Sequence, residues 1–195
     1  MLIDFVLGYT IHQKEDKDKM LLLRDYLVQK GHTVRIFQGY ASQRQEWMNK
    51  LQNIYFYANK AFLDEEDYIS YGMGYKKQIA KLGPPDIVLG MQYPLMIAIC
   101  RLALSSLGQK APPLVFWLWS EKINLEESKV FYMADACIIR TRKMKEDVEH
   151  AGSEGSCIYG ILEDLEEEKA LRAFEYILLK CYYEQQCKAY KIESK

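Results

Sequence analysis

The chain has 195 residues, of which 49% are hydrophobic and 27% charged, and these values are typical of a globular domain rather than a disordered chain. Its 26 basic and 27 acidic residues leave a net charge of -1, so we expect no general attraction to nucleic acid. The five cysteines show no C-x-x-C spacing and the three histidines lie far apart, which predicts no metal site and a reducing, cytoplasmic location.

Neither of the two main apolar segments of the sequence is typical of a segment that inserts into a membrane. Asp4 interrupts the short apolar run at the N-terminus, and no basic segment precedes that run, so we expect no signal peptide. The longest apolar stretch, residues 94–107, contains Arg101 and is too short to span a bilayer. At most, a peripheral contact with a membrane is expected.

The first elements form a strand–helix–strand unit. Leu2–Leu7 is nearly all apolar and ends at Gly8, which is typical of a strand buried on both faces. Residues 14–30 have the spacing of a helix that Gly31 ends, and residues 33–37 favour a second strand. A unit of this kind predicts a right-handed parallel crossover.

The later elements continue the alternation, with turn residues between them. We predict further strands at 53–57, 86–89, 113–118, 135–139 and 156–159, and further helices at 43–51, 65–82, 93–107 and 142–151. Strands that alternate with helices in this way predict an α/β fold with one doubly wound parallel sheet of Rossmann-like type.

A long helical pattern begins at Asp164 and carries a stripe of apolar residues, Leu171, Phe174, Leu178 and Cys181. We expect this helix to pack on the domain, and a helix that binds a partner is the alternative. The predicted organisation is therefore a Rossmann-like domain over residues 1–162 and a C-terminal helix over residues 163–195 packed on the same domain.

In open α/β sheets, ligands bind at the carboxyl ends of the strands, where the strand order switches. We expect six residues of the corresponding loops to line a substrate cleft: Gly8, Tyr9, His12, Tyr93, Trp119 and Glu121. The first loop has neither the dinucleotide fingerprint nor a P-loop, so no cofactor is expected.

Each candidate side chain has two interpretations, and no catalytic residue is assigned. His12 is either a general base or a hydrogen-bond donor to a phosphate, or else it is an exposed loop residue. Trp117 and Trp119 share a face of their strand. If the strand ends before Trp119, that ring opens to the cleft and stacks on a sugar or base, and otherwise both rings pack in the core. Glu121 is an acid or base in the cleft, or a surface residue.

The order of these stretches resembles the N-terminal, acceptor-side domain of GT-B glycosyltransferases of the retaining, family-four type. Residues 31–34 resemble the family's G-H-x-V turn, residues 85–88 its P-D-V-V strand, residues 113–115 its P-x-V strand and residues 134–139 its A-D-x-V-I strand. The turn at Gly160 resembles the N-G-V linker to the second domain. The resemblance covers about residues 1–162.

This resemblance implies glycosyl transfer from a nucleotide sugar, with the six cleft residues near the sugar acceptor and the reacting hydroxyl. In the family, a second Rossmann domain binds the nucleotide sugar, and the residues after Gly160 are too few for such a domain. The family's Gly pair is absent from the first loop, and Trp119 stands where the family often has a histidine.

Three hypotheses follow. The chain is the acceptor-side half of a glycosyltransferase whose donor domain is a separate protein subunit, or it is a non-catalytic binding or regulatory module derived from such a half. The second hypothesis fits a homo-oligomer as well as a lone chain. A third, a self-sufficient α/β enzyme, is disfavoured because the sequence has no Ser elbow, P-loop or dinucleotide fingerprint.

Overall fold

The structure, a computed structural model, describes residues 1–7, 14–40, 54–58, 68–91, 93–119, 127–150, 158–162 and 165–193. Its strands are β1 (Leu2–Leu7), β2 (Thr33–Tyr40), β3 (Ile54–Ala58), β4 (Ile87–Met91), β5 (Leu114–Leu118), β6 (Ala136–Ile139) and β7 (Ile158–Ile161). Its α-helices are α1 (Lys14–Gln29), α2 (Tyr68–Leu82), α3 (Leu95–Leu104), α4 (Arg142–His150) and α5 (Glu168–Glu193). Two 3₁₀ segments, Ser105–Lys110 and Glu127–Met133, precede β5 and β6.

The described strands form one parallel sheet in the order β3-β2-β1-β4-β5-β6-β7. This arrangement, with helices on both faces, confirms the predicted doubly wound α/β fold of Rossmann-like type with a long C-terminal helix. The predicted helix at 43–51 lies outside the described residues.

Glycines end two helices where the sequence predicts. Gly31 has φ +84°, and the amides of Gly31 and His32 donate to the carbonyls of Val28 and Leu27, which is a Schellman motif. Gly83 has φ +86° and donates to Ile79, and two prolines follow it. These ends fix where the chain leaves each helix for the next strand.

The helix boundaries of α3 and α5 differ from the predicted ones. The amide of Tyr93 donates to the carbonyl of Met91 at 2.9 Å, so Tyr93 belongs to a turn and α3 begins two residues later. Regular α-helix ends at Leu104 and continues as the 3₁₀ segment, within which Gly108 is non-helical. The long helix begins at Glu168 rather than at Asp164.

Side chains of alternate strand residues build two cores, one on each face of the sheet. Phe5, Leu89 and Trp117 pack with α1 and α5, whereas Val6, Val88 and Phe116 pack with α2, α3 and α4 on the opposite face. Burial of each such side chain contributes about 1.5–3 kcal/mol to folding. The sheet is therefore covered on both faces, as its uniformly apolar strands predict.

A buried ion pair crosses β1 and β2. Arg35 donates to both carboxylate oxygens of Asp4 at 2.6 and 2.8 Å, and the hydroxyl of Tyr75 donates to the same carboxylate at 2.8 Å. Burial raises the pKa of Asp4, and the Arg35 guanidinium opposes this increase. Arg35 also donates to the carbonyls of Leu82 and Gly83, so the pair attaches the end of α2 to the sheet.

Two aspartates hold the amino ends of neighbouring strands together. The carboxylate of Asp86 accepts the amide of Leu2 at 2.7 Å, and that of Asp135 accepts the amide of Leu114 at 2.8 Å. Asp135 also pairs with Arg101 at 2.6 Å. Strand-end amides that would otherwise lack a sheet partner are thereby satisfied.

Helix α5 packs on the same sheet face as α1. Phe174 meets Trp117 edge to face, with ring centroids 5.2 Å apart. Glu175 accepts the hydroxyl of Tyr26 and faces His32 Nε2, each at 3.0 Å. A Cβ atom at Gly160 of β7 would overlap the terminal Cδ1 of Ile177, so a larger residue there would require that side chain to move.

Candidate functional site

The switch in strand order lies between β1 and β4, at the centre of the sheet. From β1 the chain crosses to β2 on one side, and from β4 it crosses to β5 on the other. The last paired residues there are Leu7 and Met91, both fully buried. The crevice beyond this pair is the position at which open α/β sheets bind ligands.

Tyr93 lies at this edge, directly after β4 and before α3. Its side chain is 39% exposed. Its carbonyl accepts the amide of Met96 at 2.8 Å, so its backbone forms part of the turn into the helix. Tyr93 therefore presents an aromatic ring and a hydroxyl at the carboxyl edge, where a sugar acceptor needs both stacking and hydrogen bonds.

Trp119 follows β5 at the same edge, but its ring belongs to the core. Although the strand ends at Leu118, Trp119 is only 8% exposed, and its ring centroid lies 4.3 Å from that of Trp117. Met91 and Trp117 pair on the neighbouring strands β4 and β5, and Tyr93 and Trp119 each follow two residues later in the chain. Both predicted residues therefore lie at the carboxyl edge of the sheet, one exposed and one buried.

The other four predicted residues, Gly8, Tyr9, His12 and Glu121, lie outside the described residues. In the chain these residues follow the carboxyl ends of β1 and β5, and their assignment to the cleft stays a prediction.

The first turn of α3 is a further feature of this edge that side-chain reasoning missed. Helix N-termini carry a partial positive charge that favours anions, and in α3 the amides of Met96 and Ile97 already donate to the carbonyls of Tyr93 and Pro94. Pro94 caps α3 in a helical conformation, and no side chain caps the helix. The signal in the sequence was Pro94 itself, since proline is common in the first turn of a helix.

Cys100 is a candidate nucleophile by residue type, but its surroundings make it inert. It is fully buried on α3, and burial raises the pKa of its thiol well above the ordinary range. A thiol in such a place packs as a small apolar group. Within the part of the chain that the structure describes, no group of three or more His, Cys, Asp or Glu residues is suited to bind a metal ion.

Comparison with known proteins gives matches in structure alone. No protein-family model and no curated protein sequence matches the chain. A solved structure of sucrose-phosphate synthase from Thermosynechococcus elongatus matches with a TM-score of 0.64 and 12% identity, over 92% of this chain and 97% of that one. MurG from Acinetobacter baumannii matches with a TM-score of 0.52 and 14% identity, over 82% of this chain and 44% of that one.

A third match is the structure of MnaA from S. aureus with UDP, with a TM-score of 0.54 and 14% identity, over 89% of this chain and 46% of that one. The chain has a Rossmann-like fold of the GT-B type. It spans less than half the length of the MurG and MnaA chains, and nearly the whole of the sucrose-phosphate synthase chain. None of the helices in the described ranges combines the length and apolarity required to cross a bilayer.

Proposed function

We propose that this chain is the acceptor-side half of a glycosyltransferase and that another chain supplies the half that binds the nucleotide sugar. The observation that carries the proposal is the match to less than half of MurG and of MnaA, the latter solved with UDP. In this proposal the chain forms one wall of a cleft between two domains, and the second chain closes it.

The position of the candidate site supports this assignment. The carboxyl edge between β1 and β4 has an exposed tyrosine, whose ring and hydroxyl suit a hydroxylated ligand, and the positive end of a helix dipole follows it. We place the sugar acceptor against Tyr93 and the partner domain across the same edge. Gly8, Tyr9, His12 and Glu121 complete the proposed acceptor site.

The first experiment is gentle affinity purification of the chain from its native cells, followed by mass spectrometry. A stoichiometric partner with a nucleotide-sugar-type Rossmann domain is the expected result, and the two chains are then assayed together for glycosyl transfer. Recovery of the chain alone, with no transfer activity on any acceptor tested, would overturn the split-enzyme proposal.

A matched pair of tyrosines tests the site in that assay. Tyr93→Ala removes the ring at the carboxyl edge, whereas Tyr132→Ala removes another exposed ring, from the 3₁₀ segment before β6. We expect Tyr93→Ala to lower kcat/KM for the acceptor by about tenfold or more, ~1.4 kcal/mol, and Tyr132→Ala to leave it unchanged. Equal activity of both variants would remove Tyr93 from the site.

One observation favours the second candidate function, a non-catalytic binding module derived from a glycosyltransferase half. Trp119 stands where the resembling family often has a histidine near the transferred sugar, and its ring is packed on Trp117. An indole in that position can neither accept nor donate the proton that an imidazole handles. The binding module predicts that the chain retains a carbohydrate acceptor without turning it over.

A further inference from the structure

The face of α5 that points away from the sheet carries an apolar stripe of its own. We call it the tyrosine face, and it consists of Tyr176, Leu179, Tyr183, Cys187 and Tyr190. These residues recur at intervals of three and four, so they follow one side of the helix. Tyr176, Tyr183 and Tyr190 are 66%, 61% and 74% exposed.

The tyrosine face lies opposite the residues by which α5 packs on its own domain. Leu171, Phe174, Leu178 and Cys181 are buried against the sheet, about half a helical turn away from Tyr176 and Tyr183. Helix α5 therefore has two apolar faces, and the described part of the chain covers one of them. A helix that is apolar on both faces is typical of an element packed on both sides.

The charged residues beside the tyrosine face are self-complementary. An open groove along this face is lined by Tyr176 and Tyr183 together with Lys180 and Glu184, which lie one turn apart on the same flank. If a second copy of α5 runs antiparallel, its twofold axis passes near residue 182. Each Lys180 then lies opposite Glu184 of the other copy. An interface between identical chains needs such self-complementarity.

A parallel second copy lacks this pairing. A twofold axis that runs along the helices would place the Lys180 and Glu184 flank of one copy on the opposite side of the contact from the same flank of the other, so no pair between Lys180 and Glu184 would form. Antiparallel pairing instead places the ring of Tyr183 close to the axis, against its own copy and Leu179. Aromatic pairs of this kind stabilise a contact beyond the area that they bury.

We propose that the tyrosine face of α5 binds the tyrosine face of a second copy of this chain in antiparallel orientation, which makes the protein a homodimer. The tyrosine face extends over about four helical turns of a single helix on each copy, so we expect a modest interface and dimerisation that depends on protein concentration. The interface lies on the face of α5 away from the sheet, and its test does not depend on glycosyl transfer.

Sedimentation velocity over a range of protein concentrations tests the proposal directly. The wild-type chain should approach twice the monomer mass, and the variant Tyr176→Glu/Tyr183→Glu should remain a monomer with an unchanged circular dichroism spectrum. Tyr132→Glu is the matched control, because it also places a charge at an exposed tyrosine, and it should dimerise normally. A monomeric wild-type chain, or a dimer that survives the double substitution, would overturn the proposal.

Exchange of the two charges tests the antiparallel orientation. Lys180→Glu alone and Glu184→Lys alone should each weaken dimerisation by about tenfold, because each leaves like charges opposed. The double variant K180E/E184K restores every pair and should recover the wild-type dissociation constant. A double variant as weak as either single variant would contradict antiparallel pairing. Oxidation that links two chains through Cys187 would also contradict it, since antiparallel copies hold those thiols about 15 Å apart along the axis.

Binding to anionic vesicles tests the alternative that the tyrosine face contacts a membrane surface. Exposed tyrosines beside lysines also suit a membrane surface, but Glu184 lies between Lys180 and Lys188 on this helix. We expect no binding to phosphatidylserine vesicles. Binding by the wild-type chain that Tyr176→Glu/Tyr183→Glu abolishes, with no dimer in solution, would assign the face to lipid and overturn the proposal.

Discussion

The two edges of the sheet are built in different ways. At the amino edge, Asp86 and Asp135 bind strand amides at 2.7 and 2.8 Å, and Glu175 joins α5 to α1 and to His32. At the carboxyl edge, the described residues include an exposed tyrosine and a buried tryptophan, and most of the predicted site lies in loops outside the described residues.

This difference between the two edges shows which part of the molecule carries the resemblance to glycosyltransferases. Three of the resembling stretches, around His32, Asp86 and Asp135, lie at the amino edge, where their polar side chains join elements of the fold. Their roles are structural, so they can persist whatever reaction the opposite edge performs or lacks. Similarity in such stretches therefore predicts the fold much better than the function.

The largest effect on stability should come from breaking the buried ion pair between Asp4 of β1 and Arg35 of β2. Arg35→Met leaves the Asp4 carboxylate without its cation and should lower the free energy of unfolding by about 3–5 kcal/mol in urea denaturation. Without the Arg35 guanidinium, which lowers the pKa of Asp4, burial raises that pKa further, so folding favours the protonated carboxyl group. The stability of Arg35→Met should therefore be highest at acidic pH, below the ordinary pKa range of a carboxyl group, and fall as the pH rises through the folded-state pKa of Asp4.

The double variant Asp4→Leu/Arg35→Met is the control for this pair, since it removes both charges and should recover much of the lost stability. A double variant no more stable than Arg35→Met would show that packing, rather than the uncompensated charge, causes the loss.

Trp119 tests whether the carboxyl edge is partly structural. Trp119→Ala should lower the free energy of unfolding by about 3 kcal/mol, because its ring is packed on Trp117 in the core. Trp119→Phe keeps an aromatic ring there and should cost clearly less. Thermal and urea unfolding measure both variants. Unchanged stability together with lost acceptor binding would instead assign the ring to the cleft.

Asp135 tests the amino edge. Asp135→Ala removes the acceptor for the Leu114 amide and for Arg101, and should lower the free energy of unfolding by about 1.5–3 kcal/mol. Asp25→Ala is the matched control, because Asp25 is exposed and pairs with its neighbour Arg24, and it should change stability by less than about 0.5 kcal/mol. A loss of acceptor binding in Asp135→Ala without a loss of stability would contradict a structural role.

The smallest effect is expected from Tyr26 at alkaline pH. Burial raises the pKa of Tyr26, and the neighbouring Glu175 raises it further. The contribution of Tyr26 to stability is therefore complete below about pH 10 and is lost as the pH rises through its folded-state pKa. Above that pH, the stability of the wild-type chain should fall more steeply than that of Tyr26→Phe. Tyr132→Phe, at an exposed position, should follow the wild-type curve.

The sequence predicts the α/β alternation because local signals encode it. The apolar run of β1 requires burial on both faces, and Gly31 and Gly83 provide the positive φ at which α1 and α2 end. The Asp4–Arg35 pair had no such signal. In the sequence, Asp4 only interrupts an apolar run, and the parallel register of β1 with β2 is what places it beside Arg35.

The candidate site was also less predictable, because it depends on contacts between elements that are distant in the sequence. The choice between a cleft and a core position for Trp119 depends on Trp117 and on Phe174, which comes from a distant helix. Its alternation with Trp117 indicates the face but not the depth of burial. Tyr93, by contrast, follows directly from the end of a buried strand, and its position at the carboxyl edge was predictable.

The contact between Gly160 and Ile177 has a consequence for the outer surface of the molecule. Because β7 has no side chain at residue 160, Ile177 packs closely on the sheet and, together with Phe174 and Leu178, helps to fix the rotation of α5 about its own axis. A helix turned by one residue would swing Tyr176 and Tyr183 through about 100°. The absence of a side chain at residue 160 thus contributes to the choice of side chains that the last helix displays to the solvent.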